Sequence, residues 1–225
     1  MVSIKRLFSF AFLLEKMSFT DKQVQILNVA EKLFAEKGFD GTSIRDIAAE
    51  AGVNIAMISY YFKSKENLMQ AIFEKSMGTF RVRVESLLKD DSLKPFQKME
   101  MLIDEKIDGI MERQRFYKIM ICEQVTNKNP VIIEFVNELK KKNAEALGKL
   151  IRDGQKKGEF KKVIDVTVVL SALFGTISQM LINKESYREF NKLQSLSDDE
   201  FECYLKKLLS NNLKIIIKAI LTYEE

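Results

Sequence analysis

The chain offers little to covalent chemistry. Its 225 residues include no histidine, which removes the commonest general base and the commonest metal ligand. The two cysteines, Cys122 and Cys203, lie far apart without C-x-x-C spacing, so they read as core thiols of a reducing cytoplasm. No nucleophile stands in a recognisable pattern with a base. The expectation is therefore no catalytic residue, no metal, no cofactor and no enzymatic activity; an enzyme built into a helical pocket is the rival from that class. What remains is recognition by contact, and the residue types suited to it concentrate in Thr42–Leu68, TSIRDIAAEAGVNIAMISYYFKSKENL.

Two short helices joined by a glycine turn must position those residues. Thr42 or Ser43 can cap the first helix by accepting from an unpaired backbone N–H, and Asp46, three residues past Ser43, echoes a capping box on the favourable side of the helix dipole. Ile44, Ile47, Ala48 and Ala51 recur at helical spacing, which turns Arg45, Asp46 and Glu50 away from the apolar face. Gly52 supplies the left-handed conformation that ends one helix and swings the chain into the next. Val53 and Ile58 then pack back, Phe62 closes the unit, and Asn54, Ile55, Ala56, Met57, Ser59, Tyr60 and Tyr61 face outward. A polar, aromatic-tipped second helix of this kind is suited to a DNA groove. A leading helix with Ile26, Leu27, Ala30, Leu33 and Phe34 in one stripe buries a face against the pair, and Phe39, after Gly38, seals its end.

The ordered series ILNVAEKLFAEKGFDGTS, IRDIAAEAGV, the short helix ending in YYF, and KSKENL resembles the DNA-binding domain of the tetracycline-repressor (TetR) family of bacterial transcription regulators. The likeness runs from about Gln25 to Leu68. It implies that Thr42 or Ser43, Asn54, Tyr61 and Lys65 hold phosphates, while Arg45, Ala56, Met57 and Tyr60 lie close to base edges. Phosphate contacts set orientation and salt-dependent affinity; base contacts set sequence preference. The Arg45 fork matches guanine O6 and N7, and apolar Ile55, Ala56 and Met57 suit thymine methyl groups. The chain departs from the family pattern at Asn54-Ile55-Ala56-Met57, where a serine, a polar or basic residue, a glycine and a threonine or serine are usual, and at Ser59, where tyrosine is common. The competing readings are a solvated helix-face charge for Arg45, a packing ring for Tyr60 or Tyr61, and a plain exposed lysine for Lys65.

Bulk charge adds nothing to this reading. The net charge is only +4, and between Thr20 and Gln70 six basic side chains face seven carboxylates, without the basic excess expected of a DNA-binding domain. A single such unit binds weakly, so affinity would come from presenting two together.

With 46% hydrophobic residues, 2 prolines and 9 glycines, the chain can bury a real core and reads as all-α with about nine helices. The expected division is an N-terminal extension at 1–17, a helix-turn-helix domain at 18–70 and a ligand-binding and dimerisation domain at 71–225. Residues 1–16 pair Lys5-Arg6 with the apolar run Leu7–Leu14, too short to span a bilayer. They are read as an upstream start or an extra docked helix, and no stable membrane association is expected.

Ser64 can cap a long helix from Lys65 towards Leu88, and further helices are expected near Pro95–Glu112, Arg115–Val125, Val131–Lys156, Val166–Asn183 and Asp199–Thr222. Val166–Ile182 is nearly apolar all round, implying burial on more than one side. Ser171, Gly175 and Ser178 share one of its faces, and the last helix adds Leu205, Leu208, Leu209, Ile216 and Ile220. In the resembled family the last two long helices pair with their copies in a homodimer; the alternative is that both stripes serve the chain's own core. Met99, Met111, Phe116, Tyr117, Met120, Phe135 and Phe174 supply soft apolar surface for either a ligand pocket or plain core.

The resemblance thus implies a cytoplasmic, ligand-responsive regulator, a repressor by preference. Its partners would be a palindromic double-stranded DNA operator and a small apolar effector. The rival reading is a helical small-molecule or lipid carrier that has lost DNA binding.

Overall fold

Helix boundaries in the computed structural model, which describes residues 19–126 and 129–223 (backbone alone at 77–82 and 131), are set by short-range capping. The N-terminal segment considered above lies outside the described residues. Thr20 and Gln23 cap each other reciprocally at the start of α1 (Asp21–Lys37), whose buried stripe is Ile26, Leu27, Ala30, Leu33 and Phe34, as the spacing predicts. Gly38 leaves the helix at φ 77°, and the Phe39 ring comes back onto Phe34 with centroids 5.3 Å apart. Ser43, not Thr42, caps α2 (Ile44–Glu50), in a full capping box with Asp46. Gly52 turns the chain at φ 59°. Asn54 then opens α3 (Ile55–Phe62) by accepting the Ala56 N–H at 2.9 Å, and Ser64 accepts the Asn67 N–H at 3.1 Å at the start of α4 (Lys65–Lys89).

Prolines open two of the next helices, where a missing N–H costs nothing: α5 (Pro95–Glu112) and α7 (Pro130–Lys156), with α6 (Gln114–Thr126) between them. Asp165 caps α8 (Val166–Ile182). A short α9 (Lys184–Phe190), not expected from the sequence, precedes α10 (Asp198–Leu221), which Ser197 and Glu200 cap reciprocally. The fold is all-α, with ten helices among the described residues.

Two compact units emerge. One comprises the chain up to Arg81 with Arg115–Ile133; the other comprises Val82–Gln114 and Glu134–Glu225. In the first, α1, α2 and α3 form the small head around Ile47, Ile58 and Phe62, and Phe73 of α4 meets Phe116 of α6 edge-on, centroids 4.9 Å apart. In the second, α10 lies against α5 and α8. Its inward stripe is Phe201, Leu205, Leu209, Leu213, Ile217 and Leu221, and Asp104 of α5 receives both Ser210 and Lys214 at 2.6 Å.

Three expectations need correction. Cys122 and Cys203 are exposed: each falls off the buried stripe of its helix. On α8 only Val169, Leu173 and Ile177 are buried, so within one chain this helix is covered on one side rather than several. Leu205 and Leu209, assigned to a subunit contact, lie inside their own chain. No single described helix is long and apolar enough to cross a membrane; α8 and α9 reach that length only together, across a 72° bend.

Candidate nucleic-acid interface

The outer edge of α2 and α3 is where the predicted reading surface stands. Arg45 is exposed and makes no ion pair or side-chain hydrogen bond among the described residues, and Lys63, at the end of α3, is likewise exposed. Ile55 and Ala56 are exposed on the first turn of α3, Met57 is half-buried, and Tyr60 projects with 80% of its surface open. Tyr61 is half-buried, its ring 5.3 Å from that of Tyr60 in an edge-on pair. Ile58 and Phe62 hold the helix from beneath. The edge therefore carries one guanidinium, two phenols and a small apolar patch on a rigid, capped element.

Two of the predicted contacts are spent inside the protein. Thr42 is only 1% exposed; its hydroxyl donates towards the carbonyls of Leu33 (3.2 Å) and Gly38 (2.9 Å), tying α1 to the turn that precedes α2. Lys65 is the other. Its Nζ donates to the carbonyls of Phe39 (2.8 Å) and Thr42 (3.1 Å) and sits 4.1 Å from the centre of the Phe39 ring. An ammonium with two backbone acceptors and an aromatic face clamps the turn before α2. Ser43 and Asn54 remain at the surface as helix caps.

The acidic excess of the head is partly neutralised within it. Glu50 is paired with Lys32 at 2.8 Å, and that hydrogen bond and charge hold its carboxyl below the ordinary range. Asp46 accepts from the Ser43 hydroxyl and N–H at 2.7 and 2.8 Å, which lowers its pKa as well. Glu31 faces Lys75 at 3.7 Å. Glu50 and Glu31 are thereby paired with lysines, while Asp46 stays anionic beside Arg45, so the charge at the outer edge is mixed.

In the second unit, the expected ligand surface is mostly core. Met99 and Met111 are buried in α5, while Phe116, Tyr117 and Met120 belong to α6 in the first unit. Phe135 is half-buried. Of these residues only Phe174 lines a small cleft of this unit, walled also by Val84, Leu88, Leu102, Lys106, Asn143, Ala146, Leu147, Leu170, Leu173 and Ile177. Sequence reasoning missed Lys106, although the signal is there. The buried stripe of α5 runs Met99, Leu102, Ile103, Lys106, Ile107, Ile110, and a lysine in the middle of such a stripe has no place to put its charge without a polar partner.

The faces proposed for subunit contact divide by exposure. Ser171 and Gly175 of α8 and Ile216 of α10 are exposed, and Ser178 and Leu208 are half-buried. Beside them Val168, Ile182 and Ile215 also stand open.

The sequence matches a model of the bacterial regulatory proteins of the tetR family over residues 26–72, and a model of the YsiA-like protein C-terminal region over 73–206. The probable HTH-type transcriptional regulator YttP of Bacillus subtilis is 30% identical over 205 residues, covering 91% of this chain and 95% of that protein. Among solved structures, a putative fatty acid metabolism regulator of Clostridium perfringens superposes with a TM-score of 0.70 at 18% identity, covering 89% of this chain and 100% of that one. The transcriptional regulator FadR from Bacillus subtilis, solved in complex with stearoyl-CoA, superposes with a TM-score of 0.63 at 24% identity, covering 87% and 97%.

Proposed function

We propose, for a chain that belongs to the TetR family of bacterial regulatory proteins, a repressor that binds a palindromic operator as a homodimer and leaves it when a small effector occupies the second unit. The chain is a ligand-responsive, DNA-binding transcriptional regulator. The observation that carries the finer reading is the outer edge of α2 and α3, where Arg45, Ile55, Ala56 and Tyr60 are exposed on a helix fixed by its caps and by Ile58 and Phe62.

Arg45 donates to a guanine edge, the apolar first turn of α3 contacts thymine methyl groups, and Ser43, Asn54, Tyr61 and Lys63 approach phosphates. Two heads carried by one dimer read two half-sites about one helical turn apart or somewhat more. The dimer forms through the exposed faces of α8 and α10, which present Gly175, Ser171, Ile216 and Leu208. The effector enters the cleft around Phe174 and acts through its differential affinity for the two states of the dimer. No catalysis enters this scheme, and the cytoplasm is the compartment it requires. Selection of bound duplexes from a random pool, followed by gel-shift titration, tests it. A dyad-symmetric consensus is expected; recovery of no preferred duplex would instead favour the helical ligand carrier.

A further inference from the structure

The helix suited to a DNA groove carries no charge of its own. Apolar residues, one serine and two tyrosines make up α3, so a grip on phosphates has to come from the residues flanking it. Of those, Arg45 has the carboxylate Asp46 beside it, and Lys65 directs its ammonium to the carbonyls of Phe39 and Thr42. Lys63 is placed differently. It follows α3 directly, is exposed, and makes no ion pair or side-chain hydrogen bond among the described residues. Its backbone stands at φ 67°, ψ -44°, and the Ser64 N–H donates back to the Phe62 carbonyl at 2.7 Å. Together these make a γ-turn of the rare, strained hand. The other positive-φ residues of the head, Gly38 and Gly52, are glycines, which meet no Cβ penalty there. A lysine in this turn lowers stability where a glycine would not. Both neighbouring helices hold the turn: the Lys63 N–H closes α3 on the Ser59 carbonyl at 3.0 Å, and the Ser64 hydroxyl accepts the Asn67 N–H at the start of α4. The side chain therefore leaves from a fixed point between two helices.

We propose that Lys63 is the electrostatic anchor of the head on DNA, and that the strained turn is kept because it carries this side chain to a phosphate. The inference rests on the DNA-binding reading above and deepens it. The role expected of Lys65 passes to the lysine two residues before it, whose ammonium has no acceptor within the head. A phosphate oxygen accepts from that ammonium, and the counterions displaced make the contact salt-dependent, about 0.9 in the slope of log K against log salt for each phosphate neutralised. Such a contact fixes the head on the duplex without preferring a base. Stability and binding are thus opposed at one residue: glycine suits the backbone, lysine suits the DNA.

Three variants of the full chain separate the side chain from the turn. Lys63→Gly removes charge and strain together, Lys63→Met removes the charge alone, and Lys63→Arg keeps both. The urea midpoint is expected to rise for Lys63→Gly and to stay at the native value for the other two. DNA binding is titrated at several salt concentrations on the selected duplex and on a scrambled one. Lys63→Gly and Lys63→Met are each expected to bind about tenfold more weakly on both duplexes, with the salt slope reduced by about 0.9 for each head engaged. Lys63→Arg is expected to hold the native slope. A native slope and affinity in Lys63→Met would overturn the proposal. So would a binding loss confined to Lys63→Gly, which assigns the effect to the turn, or a midpoint for Lys63→Gly that does not rise, which removes the strain. If the native chain prefers its selected duplex and the variants match it, the anchor falls and the regulator reading stands. If the native chain binds no duplex, the regulator reading falls and the anchor with it.

Discussion

Lys65 and Lys106 show how one residue type takes opposite tasks according to what surrounds it. Lys65 reaches two backbone carbonyls and an aromatic face at the edge of the head, so Lys65→Ala leaves those acceptors unpaired. It is expected to lower stability by about 1–2 kcal/mol, measured by urea unfolding, with any weakening of DNA binding following from the loosened turn. Lys106 is destabilising where it stands. Its folded pKa of about 8 lies below the ordinary 10.5, so between those values the unfolded chain holds more protons, and stability rises with pH across that window. Lys106→Met is therefore expected to raise the melting temperature at pH 7, by on the order of 1–3 kcal/mol of stability, with the advantage shrinking between about pH 8 and 10.5. A variant equal to the parent at both pH values would contradict the burial argument. Neither role is legible from residue type alone. Lys65 sits in a plain polar run, and its two acceptors come from 23 and 26 residues upstream.

Elements were far easier to read than contacts, because their ends are decided within a few residues. Ser43 with Asp46, Ser64, Pro95 and Pro130 each mark a helix start by chemistry that the next turn completes. Gly52 is the same kind of decision: its φ of 59° favours glycine, and Gly52→Ala is expected to cost about 1 kcal/mol in a denaturant titration. Gly154 is more demanding, since a methyl there would stand 2.1 Å from the buried Phe160 ring, and Gly154→Ala should unfold at markedly lower denaturant. The capping carboxylates Asp46 and Glu200 are held below their ordinary values by the serines they cap. Their contribution is complete above the unfolded pKa values, 3.8 and 4.5, and disappears as pH falls through the depressed folded ones. What the sequence hid is tertiary. Thr42 and Ser43 are equivalent caps until Thr42 is drawn down onto the end of α1, and the exposed side of Cys122 depends on which face of α6 is covered.

For the whole molecule the unexplained surface is the apolar outer side of α8 and α10, where Val168, Ile182, Ile215 and Ile216 stand open around Gly175. A second copy is the occupant that the regulator account requires. Gly175→Arg, a site with nothing within 4 Å to obstruct it inside one chain, is expected to shift the protein from dimer to monomer in analytical ultracentrifugation while leaving its helical signal intact. The central claim is that the exposed edge of α2 and α3 reads base sequence. Titration of the native chain and Arg45→Ala against the selected duplex and a scrambled one, at two salt concentrations, tests it most directly. The account predicts that Arg45→Ala loses about 1–3 kcal/mol on the selected duplex and little on the scrambled one, with relaxed preference at a single guanine in each half-site. Parental affinity and parental preference in the variant would contradict it.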